Sequence, residues 1–170
     1  MLSEEDLEYA VIDAIPLHRF LGMRVRHDGG PPPGVSVAER GEHGNHLGGA
    51  SGAVIFAVAE AASATLVFSA YTSLLKRAFA VPAVATIRFL RPAVGEILAR
   101  ARSDVPAAAL AQALGDKGAA SLPVSVDVVD GAGTVVAALT VEWHFRPARP
   151  GAAPALPRRP GNPGSSGREG

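Results

Sequence analysis

The chain has no cysteine. That absence removes disulfides, thiolate nucleophiles and thiolate metal ligands together. A charge surplus is missing too, since 16 lysines and arginines balance 16 aspartates and glutamates. A nucleic-acid surface needs a basic excess on one face, so no nucleic-acid partner is expected. The first residues, Met1 to Asp6, are acidic and polar and lack the basic start and apolar run of a signal peptide, which points to the cytoplasm. No histidines and acids stand at metal-ligand spacing, so neither a metal nor a cofactor is expected.

What is present suffices for one core. The chain has 170 residues, 48% of them hydrophobic. Ser3 followed by Glu4, Glu5 and Asp6 has the form of a helix N-cap with acids in the first turn. Leu7, Val11, Ala14 and Ile15 share one face of that helix, and Pro16 stops or redirects it. Met23 and Val25, then Val35 and Val37, alternate with polar residues around a glycine- and proline-rich turn, giving two short strands.

Between His46 and Lys76 the only charged residue is Glu60. From Ala50 to Leu75 the sequence is apolar on every side, as in a helix buried in a core or in a membrane. A carboxylate at bilayer depth costs at least ~2.5 kcal/mol. A helix wrapped by a sheet is the easier account, and no membrane is expected. Strands follow over Val84–Leu90 and Ile97–Val105. A short helical insertion over Ala107–Leu114 closes at Gly115. Alternation at Val124, Val126 and Val128 and from Leu139 to Phe145 then brackets a turn at Asp130–Gly133. From Pro147 onward proline, glycine, alanine and arginine dominate without periodicity. Residues 1–147 therefore form one domain, and 148–170 are expected to be a disordered tail.

This order fits a sheet of five to six strands curled round one long helix. Too few residues remain to cover the helix's far side, which calls for a second subunit. The stretch from Asn45 to Glu60 resembles the signature of hotdog-fold acyl-CoA thioesterases of the phenylacetate-pathway type. In that family an asparagine precedes a His-Gly-Gly turn, and the central helix carries an acid nine residues after the histidine. Asn45, Gly52 and Glu60 match the asparagine, the first glycine and the acid. Val84–Pro92 resembles the family's next strand and Val126–Ala137 its last hairpin. The sequence departs from the pattern at Ser51, where the family has histidine, and at Ala53, which replaces the second glycine. It departs again at Val81, Pro82 and Ala83, where some members place a serine or threonine facing the acid.

The resemblance implies an α+β hotdog fold, a curved antiparallel sheet round one central helix. It also implies an acyl-CoA substrate and a homo-oligomer, either a dimer or a dimer of dimers, with a site shared between subunits. Thioester hydrolysis needs a donor for the developing oxyanion, and the Gly52 N–H at a helix N-terminus supplies one. Glu60 lies about 12 Å further along the same axis. It therefore reaches that carbonyl only across the interface, as general base or as nucleophile. Asn45 orients water or carbonyl, or simply caps the helix. His46 and Ser51 are candidate substrate contacts, and Arg88 and Arg91 are candidates for the CoA phosphates. The plainer alternatives are a buried structural Glu60, a loop histidine and two solvated arginines. His46 and Glu60, fourteen residues apart, also have the separation of a hydroxyacyl thioester dehydratase of this fold. A non-catalytic acyl-thioester-binding protein is a third possibility.

Overall fold

The computed structural model describes residues 2–148 together with 156, 157, 159 and 160. Ser3 caps the first helix, α1 (Glu4–Glu8), its Oγ accepting the Asp6 N–H at 3.1 Å. The chain then widens into a π-helical turn over Tyr9–Asp13. Pro16 redirects it by starting α2 (Pro16–Leu21), since the first position of a helix has no use for the missing N–H. Two short strands, β1 (Arg24–Arg26) and β2 (Gly34–Val37), precede the long helix α3 (Gly52–Ala70). That helix breaks at Tyr71 and finishes as α4 (Thr72–Leu75). The remainder is β3 (Ala78–Phe89), β4 (Ile97–Arg102), α5 (Ala107–Lys117), β5 (Ala120–Val129) and β6 (Val135–Pro147).

The six strands make one sheet in the order β1-β2-β4-β5-β6-β3, every neighbouring pair antiparallel. Alternation decides which side chains face the helix. Val124, Val126 and Val128 of β5 and Leu139, Val141 and Trp143 of β6 are buried against α3, while Asp127, Thr140 and Glu142 face outward. The helix matches this wrapping with Val58, Ala59, Ala61, Ala62 and Val67, all fully buried, and the alanines let the sheet approach closely. Each large aliphatic side chain so buried contributes about 1.5–3 kcal/mol. α3 is the one described helix long and apolar enough to cross a membrane, and it is the buried core of the domain. This is the hotdog arrangement, with six strands.

Three sequence expectations need correction. The strand expected from Val84 begins six residues earlier, at Ala78, because β6 is long enough to pair with it throughout, with one irregularity between Pro82 and Val84. The strand expected to run from Ile97 to Val105 ends at Arg102. Gly115 does not close the helical insertion. α5 continues to Lys117 and ends at Gly118, whose φ of 66° lies in the left-handed region that favours glycine. Most of the tail expected to be disordered lies outside the described residues. Of its described part, Leu156 packs against the core and Arg159 pairs with Glu5.

β3 forms one edge of the sheet and is open on both faces. Val81 to Thr86 are all exposed, and Val84, Phe89 and Leu90 present large apolar side chains to solvent. A twelve-residue unpaired edge of this kind is a ready template for another strand.

Candidate functional site

The candidate residues fall in two regions, one at the N-terminus of α3 and one midway along it. The first is a tight loop built around Asn45. Its Oδ1 accepts the N–H groups of Leu47 at 2.8 Å and Gly49 at 3.3 Å, and its Nδ2 donates to the Ala50 carbonyl at 3.0 Å. Asn45 therefore does not cap α3. Ser51 does, its Oγ accepting the Ala53 N–H at 3.3 Å. Gly49 comes so near β4's approach that a Cβ there would sit 2.9 Å from the Ala93 carbonyl oxygen. Glycine is needed at that crossing. The Ala50 N–H completes it by donating to the same carbonyl at 2.9 Å.

Gly52 is the first residue of α3, and its N–H has no acceptor among the described residues. The exposed ring of Phe89 lies over it, 3.2 Å from where a Cβ would be. His46 and Leu47 stand out into solvent at the tip of the loop. A cavity of about 390 Å³ opens beside it, lined by Glu39, Arg40, His43, Asn45 and Gly49. His43 is buried there, its Nδ1 donating to the Ala38 carbonyl at 3.2 Å, while its Nε2 has no partner.

Glu60 is elsewhere. It falls on a stripe of α3 with exposed Ala53 and half-buried Phe56 and Ala57, the strip that the sheet leaves uncovered. Its side chain is 26% exposed, and it lines neither the cavity above nor the apolar cleft of about 510 Å³ between Leu7, Pro32 and Leu66. Burial pushes the Glu60 carboxyl above the ordinary glutamate range, and the nearby imidazole of His18 offsets part of that rise. His18 Nε2 is 3.8 Å from Glu60 Oε2. On the helix's inner side the Trp143 indole donates to Ser63 Oγ at 3.1 Å, and Ser63 Oγ donates to the Glu60 carbonyl at 2.7 Å. The backbone carrying the carboxylate is thus tied to β6.

The structure brings Asn45, His46, Ser51 and Gly52 together and keeps Glu60 two turns away. It also separates the two arginines. Arg88 pairs with Ala138 in the ladder, and its side chain lies on the sheet's outer face beside Arg102 and Asp127, away from α3. That placement puts it on the opposite side of the sheet from α3, although the sequence made both arginines candidates for the CoA phosphates. Arg91 follows β3, its N–H donating to the Val136 carbonyl at 3.2 Å, two residues before Ala93, whose carbonyl meets the Asn45 loop. No cluster of histidines and acids able to hold a metal occurs among the described residues. Sequence reasoning missed His18 and His43. The one signal for His18 was Pro16, whose missing N–H leaves a carbonyl upstream free for a side-chain donor.

The family model described as "Domain of unknown function (DUF4442)" matches residues 20–145. No curated protein matches the chain. Among solved structures, a Pseudomonas aeruginosa protein of unknown function described as a "probable thioesterase" superposes with a TM-score of 0.75 at 24% identity, covering 86% of this chain and 97% of its own. A mutant thioesterase from the same organism gives 0.67 at 14%, covering 87% and 96%. A mutant of the phenylacetic acid degradation protein PaaI from Thermus thermophilus gives 0.57 at 23%, covering 78% and 99%. At these identities the likeness establishes the fold.

Proposed function

Since the chain belongs to the DUF4442 family and has the thioesterase-type hotdog fold, we propose that it hydrolyses acyl-CoA thioesters to free acid and CoA. The observation that carries this reading is Glu60, a single carboxylate held half-buried on the uncovered stripe of an otherwise uncharged helix. Two such subunits, joined along β3, bring the Glu60 of one towards the Gly52 N–H of the other. The exposed apolar edge of β3 supports that pairing, as a dimer or a dimer of dimers. The same reading makes the protein cytoplasmic.

In this site the thioester carbonyl sits at the N-terminus of α3. Its oxygen gains negative charge as water adds to the carbon, and the Gly52 N–H and the positive end of the helix stabilise it. Glu60 takes the proton from that water, and a carboxyl raised by burial is a stronger base for the purpose. The tetrahedral intermediate collapses, the C–S bond breaks, and the departing CoA thiolate takes up the proton. Direct attack by Glu60 on the carbonyl is the other route through the same residues. Asn45 shapes the loop that presents Gly52, and its remaining amide hydrogen is free to meet the substrate. His46 and Ser51 flank that entrance, and the reading assigns the CoA phosphates to Arg91.

The test is Glu60→Gln, assayed with a panel of acyl-CoA thioesters and detection of free CoA. Turnover should fall by at least ~10², the lower range for loss of a general base, with KM little changed. A variant with near wild-type turnover would make Glu60 a structural anion and sink the proposal.

A further inference from the structure

The neighbourhood of Glu60 contains an arrangement that the hydrolysis reading does not use. The π-helical turn at Tyr9–Asp13 directs the Ala14 N–H to the Tyr9 carbonyl at 2.8 Å and the Ile15 N–H to the Ile12 carbonyl at 3.1 Å. The Val11 carbonyl would take its bond from residue 16 in that pattern, but Pro16 has no N–H to give. His18 fills the gap, its Nδ1 lying 2.7 Å from Val11 O in a buried contact. A carbonyl oxygen only accepts, so Nδ1 carries the hydrogen. The other ring nitrogen, Nε2, is thereby left facing Glu60 Oε2 at 3.8 Å, with the His18 side chain 5% exposed.

We propose that His18 is a positioning residue for Glu60: its imidazole, held in one orientation by Val11, keeps Nε2 turned to the carboxyl group, where the protonated ring favours the carboxylate and the neutral ring can only accept from the protonated acid. The role rests on the reading of Glu60 as base or nucleophile. Arg19 of α2 and Asp13 of the π-helical turn also lie on elements packed against α3, but among the described residues only His18 forms an ion-pair contact with Glu60. β2, β4, β5 and β6 turn apolar side chains inward, with Trp143 hydrogen-bonded to Ser63, and Glu8 of α1 is engaged with the Val25 N–H at 2.7 Å. Among the described residues His18 is the one charged or titratable group that acts on the Glu60 carboxyl. The imidazole favours the anion while burial disfavours it. The carboxylate is therefore ionised at lower pH than burial alone would allow.

The experiment uses the full chain and His18→Gln, which keeps a donor for Val11 and removes the ionisable ring. The Glu60 side-chain carbon is followed by NMR in glutamate-labelled protein and assigned by its loss in Glu60→Gln. Its titration midpoint should move upward in His18→Gln, and the acid limb of kcat/KM against pH should move the same way. A folded His18→Gln with an unmoved midpoint overturns the proposal, whatever its melting temperature. Should His18→Gln fail to fold, ring-nitrogen spectra of wild type and Glu60→Gln decide instead. The His18 Nε2 signal must differ between them, and identical signals overturn the coupling. A shifted midpoint in a protein that hydrolyses no thioester would uphold the coupling and refute the hydrolysis reading.

Discussion

Replacing Ser63 by alanine tests whether the backbone under Glu60 is tied to the sheet as described. Ser63 is fully buried and Trp143 is 3% exposed, so neither finds water once its partner is lost. The substitution leaves the indole N–H, now donating at 3.1 Å, without an acceptor. An orphaned buried donor costs about 1–3 kcal/mol. Taking ~2 kcal/mol, and ~2–4 °C per kcal/mol for a chain of this size, Ser63→Ala should lower Tm by about 4–8 °C. Trp143→Phe removes the donor as well as some packing. In that background Ser63→Ala should cost much less, giving a coupling of ~1 kcal/mol or more. Urea unfolding of the four proteins at one protomer concentration measures this, the fixed concentration keeping the proposed association from altering the comparison. Equal costs of Ser63→Ala in both backgrounds would refute the reasoning, since the hydrogen bond would then contribute nothing specific.

Val84→Lys places a charge on the exposed stretch of β3 and should shift the protein from oligomer towards the 17.4 kDa monomer in light scattering. A wild-type monomer at micromolar concentration would refute the shared site itself. Glu60→Gln should also change the pH dependence of stability. Because burial raises the Glu60 pKa above 4.5, the native state holds its proton more tightly than the unfolded chain. That stability is complete below the unfolded pKa and is lost as pH rises through the folded one. The variant should match wild type near about pH 4 and exceed it near about pH 8, and a difference in Tm that does not grow with pH would contradict this. Arg91→Ala should raise KM for CoA thioesters more than for short thioesters lacking the nucleotide. Arg88→Ala, on the outer face, should leave both unchanged.

The strands at Val124–Val128 and Leu139–Phe145 were legible because one face meets α3 and the other meets water, so burial imposes a two-residue period. α3 was legible for the opposite reason, being apolar all round with one charge. The first half of β3 was not, because both its faces are open in a single chain and Pro82 interrupts the pattern. Asn45 and Ser51 could be ranked by type as caps, yet only geometry assigns the cap to Ser51 and the loop to Asn45. His18 lies too far from Glu60 in sequence for any local pattern to join them. Their meeting depends on the Val11 carbonyl that Pro16 leaves without a donor; Pro16 was visible in the sequence, but that consequence was not.

The ladder between β3 and β6 joins residues 78–89 to residues 135–147. During synthesis β3 therefore emerges well before β6, the strand that it pairs with. Until β6 has been made, the segment with the most exposed apolar edge belongs to an unfinished sheet, free to pair wrongly with other nascent chains. Long-range pairing of this kind is slow to form. The edge proposed to serve association in the finished protein is thus a hazard on the ribosome, and Pro82, which can donate no ladder hydrogen bond, interrupts it near the middle.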